Sequence, residues 1–164
     1  MTGTATTGEC SRPEPQRGLT ALLWALLGLF VLRVTGQALV AFAAVDFLPP
    51  MHQWYSGLLA YEYLLPAQLL IIGLMAKICV DFTRGSGFFV TPRRFFAVHW
   101  LYFGYVYLAL MLARYPIQMA LHPASRWFDG TLPIFFHWVL ATFVILVGLH
   151  HRRRLQARTL RSPP

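Results

Sequence analysis

Read for apolar and polar positions, the chain falls into four long apolar stretches joined by short polar connections: residues 19–47, 56–80, 95–115 and 132–151. Each meets or exceeds the ~20 apolar residues that a helix needs to cross a hydrocarbon core ~30 Å thick. Lipid offers no partner to a backbone N–H or C=O, so stretches of this length predict helices, which satisfy those groups internally. Breakers mark the connections. Pro49 and Pro50 end the first stretch, since proline lacks a donor and disfavours helical geometry in the residue before it. Trp54 and Tyr55 then fit the aromatic level of the headgroups. Gly85, Ser86 and Gly87 predict a mobile turn within residues 81–92. Residues 116–133 form the longest connection, and its Ile117, Met119, Leu121, Trp127 and Phe128 suit an element lying on the membrane surface.

The expected architecture is all-α: an integral membrane four-helix transmembrane bundle running up-down-up-down. A flexible tail of residues 1–18 and a basic tail of residues 152–164 flank it. Small residues at helical spacing predict where backbones approach: Ala21, Ala25 and Gly28 in the first stretch, Ala109 and Ala113 in the third, Ala141 and Gly148 in the fourth. Residues 1–18 are polar, and the apolar run after them is too long for the core of a signal peptide.

Composition agrees with this class, at 57% hydrophobic and 12% charged residues. The net charge of +8 changes the picture only through its placement. In a soluble protein it would point to nucleic acid. Here Arg12 and Arg17 precede the first stretch, Lys77, Arg84, Arg93 and Arg94 surround the second connection, and Arg152, Arg153, Arg154, Arg158 and Arg161 follow the last. Four crossings put all of them on one side, and Lys and Arg collect in cytoplasmic loops. Both termini are therefore expected in the cytoplasm of a cell with a bacterial-type inner membrane. The expected partners are the bilayer, with Arg152, Arg153 and Arg154 meeting anionic headgroups, and a larger membrane complex, but not nucleic acid. Cys10 and Cys79 form no Cys-x-x-Cys pair, which argues against thiol–disulfide exchange.

Candidate chemistry lies in the polar residues that interrupt the apolar stretches. A charge at the centre of a span costs on the order of 2.5–3.5 kcal/mol by insertion scales, so such residues find partners. Arg33 lies mid-way along the first stretch with Gln37 one turn on; Glu62, Pro66 and Gln68 lie in the second; Arg114 and His137 lie near ends of the third and fourth. At ~1.5 Å rise per residue, Arg33 and Gln68 share one depth, with Gln37, Glu62, His137 and Arg114 nearer one surface. These six residues predict one polar cluster suited to the head of a lipophilic ligand: a quinone, lipid or pigment. Glu62, the acid deepest within a span, is the expected partner for Arg33, Arg114 or His137. The leading expectation is a small, non-enzymatic integral subunit or accessory protein. The alternative is a small membrane enzyme or redox protein using Glu62, His137 and Arg114, or a b-type haem. For haem, His99 could face His150 or His151, but His151 beside Arg152 is expected to be wet, and His137 has only His52 and His122 in connections. No metal-ligand spacing occurs, and the dense aromatics of the third stretch, Trp100 to Tyr107, are expected to pack.

Overall fold

The computed structural model describes residues 17–43, 61–121 and 131–160. Expectations for Cys10, the proline-marked first connection, His52, His122, Trp127 and Phe128 lie outside them. The described residues form four long helices: α1 (Arg17–Ala43), α2 (Tyr61–Arg84), α3 (Leu101–Leu121) and α4 (Thr131–Thr159). All four contain spans long and apolar enough to cross a membrane. A π-helical turn, Phe96–Trp100, leads into α3.

The element bounds differ from the apolar stretches in two instructive places. α3 continues through Pro116 to Leu121, so part of the expected surface connection is helix. Pro66 likewise stands inside α2. Proline costs a soluble helix about 3 kcal/mol through its missing donor and a clash. Helices that span membranes tolerate it, because neighbours and local adjustments re-satisfy the freed carbonyl. At the other end, α4 does not stop at His151 but runs on through Arg152, Arg153 and Arg154. Arginine is a good helix former and a cation near a helix C-terminus is favourable, so nothing local stops the helix there.

α4 is the central element. Of its apolar window 44% is buried, against 22–28% in the other three. It packs on α1, on α3 and on the π turn, while α2 packs on α1. A single apolar core joins Leu23, Leu27 and Phe30 of α1, Met75, Ile78 and Phe82 of α2, and Val139, Phe143 and Val147 of α4. The three- and four-residue spacings place each set on one helix stripe.

The small residues behave differently from one helix to the next. Ala141 and Gly148 are buried as expected. Ala21, Ala25, Gly28, Ala109 and Ala113 are exposed, so these lines face outward and the bulkier stripe of α1 makes its contacts. The close approach is between α3 and α4. A Cβ added at Gly148 would stand 2.8 Å from Leu101 Cγ, and one at Gly104 2.7 Å from Ile145 Cγ1.

The expected turn folds into a cap over the end of the bundle. Gly85 and Gly87 take positive φ of 65° and 131°, which lets the chain reverse after α2. The reversal folds over Asp81, whose carboxylate accepts from Lys77 Nζ and, at 3.4 Å, from the Phe89 amide. Beyond it, the Arg93 amide donates to His151 Nδ1 at 3.3 Å, and His150 Nε2 lies 3.4 Å from the Val90 carbonyl. Phe88, Phe89, Phe96 and Trp100 close the cap edge to face, and Arg93 lies 4.1 Å from the centroid of Phe88.

Candidate functional site: a polar cluster inside the bundle

Three polar residues are buried where α1 meets α2 and α4. Arg33 is 8% exposed, Gln68 4% and Gln37 not at all. Arg33 and Gln37 sit one turn apart on the same stripe as Phe30 and Val34, so the face that carries the apolar core also carries them inward. Gln68 Nε2 donates to Gln37 Oε1 at 3.0 Å. Arg33 instead meets an aromatic: its Cζ lies 5.4 Å from the centroid of Phe136 on α4, a cation–π contact.

The hydrogen-bonding account does not close. Arg33 Nε, Gln37 Nε2 and Gln68 Oε1 are buried with no partner. Exchanging O and N in both amides merely reverses the bond between them. In either orientation one amide NH2 and one amide carbonyl remain unmet. Buried polar groups are as a rule satisfied, and leaving one unmet costs about 1–3 kcal/mol. Arg33 also has no ion pair with any described residue, which leaves a buried cation next to an unmet donor and an unmet acceptor.

A second pair continues the cluster across α4. Tyr107 Oη of α3 and His137 Nδ1 of α4 are 2.5 Å apart in a hydrogen bond, and their rings meet edge to face at 5.8 Å. Phe103 stacks on Tyr107 at 5.7 Å. His137 directly follows Phe136, the ring that Arg33 meets. Arg114 is half-buried.

Of the six residues singled out from sequence, Gln37 and Gln68 are hydrogen-bonded, Arg33 is buried one turn from Gln37 on the same stripe, and His137 directly follows the Phe136 that Arg33 meets. Glu62 stands apart: its side chain is exposed on α2, and it pairs with none of Arg33, Arg114 or His137. Among the described residues the buried acid is Asp81, and it is used in the cap. Phe136 carries no signal in the sequence, and the aromatics of the third stretch, Tyr107 among them, could line a pigment or quinone slot but are expected to pack.

The described histidines lie in different surroundings. His99 is exposed, stacked on Phe95 at 4.5 Å with Nδ1 3.2 Å from the Phe95 carbonyl. His151, expected to be wet, is fully buried, stacked on Phe96 at 5.1 Å beneath the cap. His150 packs edge to face on Phe82 at 4.7 Å. Among the described residues no three His, Cys, Asp or Glu side chains converge on one point. Cys79 is a buried thiol in the apolar core.

Fold and cluster together define a multi-pass helical membrane protein with polar groups left open inside its bundle. No family model, curated protein or solved structure matches the chain, so the functional reading stands on these residues.

Proposed function

We propose that this chain is a small integral membrane subunit or accessory protein. In this reading its Arg33–Gln37–Gln68 cluster holds the polar head of a lipophilic ligand, and it works in a larger membrane assembly rather than as an enzyme. The observation that carries the reading is the unmet set of the Arg33 Nε–H, one amide NH2 and one amide carbonyl on two helices beside a third. Unmet buried donors and acceptors are costly, and a ligand head that completes them recovers that cost. His137, Tyr107 and Arg114 form the side of the site toward α3.

The proposed orientation is up-down-up-down in a bacterial-type inner membrane, with both termini cytoplasmic. Contacts from Trp24 to Thr83, from Gln37 to Gln68 and from Phe96 to His151 support the alternation. The basic residues of the cap and of α4 beyond His151 support the sidedness, and in this reading Arg152, Arg153 and Arg154 meet anionic headgroups.

The test is an inventory of bound lipophilic molecules. Wild-type protein and the double variant Gln37→Leu/Gln68→Leu are purified in mild detergent, extracted and analysed by mass spectrometry. The wild type is expected to retain one molecule near one per chain, and the variant several-fold less. Equal retention in both, or none in the wild type, sinks the ligand reading.

A further inference from the structure

Depth, charge and hydrogen-bonding pattern narrow the head that fits this cluster. Gln68 lies seven residues from the Tyr61 end of α2, about 10 Å of helix, and Arg33 ten residues from the Ala43 end of α1, about 15 Å. A phosphodiester carries a fixed charge and stays in the headgroup layer. The head that reaches this depth must be uncharged, or nearly so, in at least one of its forms.

The unmet groups add the pattern. Arg33 Nε and the free amide NH2 are donors and need acceptor oxygens, whereas the free amide carbonyl needs a donor. Arg33, lacking any carboxylate among the described residues, is an ionised donor and makes a charge-assisted hydrogen bond to a neutral carbonyl oxygen. Phe136, held edge to face by Phe135 at 5.2 Å, offers a flat apolar wall beside the guanidinium. A flat ring with carbonyl oxygens meets the donors, and its reduced form supplies a hydroxyl to the carbonyl. A fatty acid, neutral when protonated, has a donor and an acceptor but no flat ring to lie against Phe136. A sterol-type hydroxyl offers one donor and too few acceptors.

We propose that the head bound between Arg33, Gln37 and Gln68 is that of a lipophilic quinone in its oxidised or reduced form. The inference rests on the ligand-site reading above and names the class of molecule that the site takes. It is an inference about binding, and the cluster assigns no electron-transfer step.

The probe is a decyl-chain benzoquinone added to protein in neutral phosphatidylcholine nanodiscs, with thermal unfolding as readout. Wild-type protein is expected to show saturable stabilisation that oleate and phosphatidylglycerol neither reproduce nor displace. Half-saturation should rise at least tenfold in Arg33→Gln and in Gln37→Leu/Gln68→Leu. These variants alter different groups, so loss of folding in one leaves the other informative. A photoreactive quinone on the wild-type chain adds a readout free of any variant, with adducts expected on peptides spanning residues 30–37 or 64–72. Equal response of wild type and variants, or adducts confined elsewhere, overturns the inference. Saturable stabilisation by oleate or phosphatidylglycerol and none by the quinone overturns it too, while leaving the ligand site standing. Should no probe bind and extraction recover no retained molecule, both readings fall together.

Discussion

Asp81 shows how much one side chain can organise at the end of a span. Its carboxylate is 2% exposed, bonded to Lys77 one turn back and to the Phe89 amide across the reversal, so α2 and the loop after it share one acceptor. Gly87 lies against it. A Cβ there would fall 2.5–2.8 Å from the carboxylate atoms, and a φ of 131° is already unfavourable for an L side chain. Gly87→Ala should therefore cost about 1–3 kcal/mol of local stability. The loop should open while the bundle persists: trypsin should cut after Arg84, Arg93 or Arg94 several-fold faster, with unchanged helix content by circular dichroism. Wild-type cleavage rates in the variant would show that Gly87 is not seated on Asp81. At this scale the sequence was legible where a residue type was out of place. Arg33, Gln37 and Gln68 interrupt apolar runs, and helical rise alone sets them at neighbouring depths. The facing of Glu62 was not legible, because near a helix end it depends on the helix's rotation, which packing sets. His151 was misjudged as wet for a related reason. Its neighbours in sequence are arginines, but what covers it is Phe96 and the backbone of Arg93, 58 positions back in the chain.

Elements read well as lengths and poorly as faces. The four spans could be found by counting apolar residues, and the structure moved their limits only where a local rule gave way: Pro116 inside α3, and the helical arginines beyond His151. Small residues, by contrast, marked both packed and outward faces. Gly148 and Gly104 let α3 and α4 approach, whereas a Cβ at Gly28 would meet nothing within 4 Å. The same substitution should thus have opposite effects. Gly148→Ala pushes a methyl into Leu101, side chain and backbone amide alike, and overpacking of that kind costs about 1–3 kcal/mol. Gly28→Ala adds no clash and removes the flexibility of a helical glycine, a gain of about 0.5–1 kcal/mol. Thermal unfolding of both variants in one detergent decides the matter: the melting temperature should fall for Gly148→Ala and hold or rise for Gly28→Ala. A fall for both would mean that Gly28 is covered in the native assembly.

Taken as a molecule, the chain spends its buried surface unevenly. α4 is sheathed by α1, α3 and the cap, whereas α2, α3 and much of α1 turn large apolar side chains outward, among them Leu32, Phe42, Leu70 and Tyr102. In water such a surface would aggregate; in a bilayer it meets acyl chains at no cost. The polar cluster then becomes intelligible as an interior feature, because Arg33, Gln37 and Gln68 lie on the inward stripe. Membrane character was legible in the sequence because it depends on composition over ~20 residues. Orientation depends on which side the arginines take, and it is open to direct test with one thiol. Cys79 is buried among apolar side chains, which leaves Cys10 as the residue for an impermeant maleimide to find. With both termini cytoplasmic, Cys10 should stay unlabelled in intact spheroplasts and react fully after lysis, and Cys10→Ser should abolish the signal in both. Labelling of Cys10 before lysis would place the basic cap and Arg152–Arg154 on the outer surface. The polar cluster would then open toward the cytoplasmic half of the membrane, and headgroup contacts assigned to the arginines would have to be sought in the other leaflet.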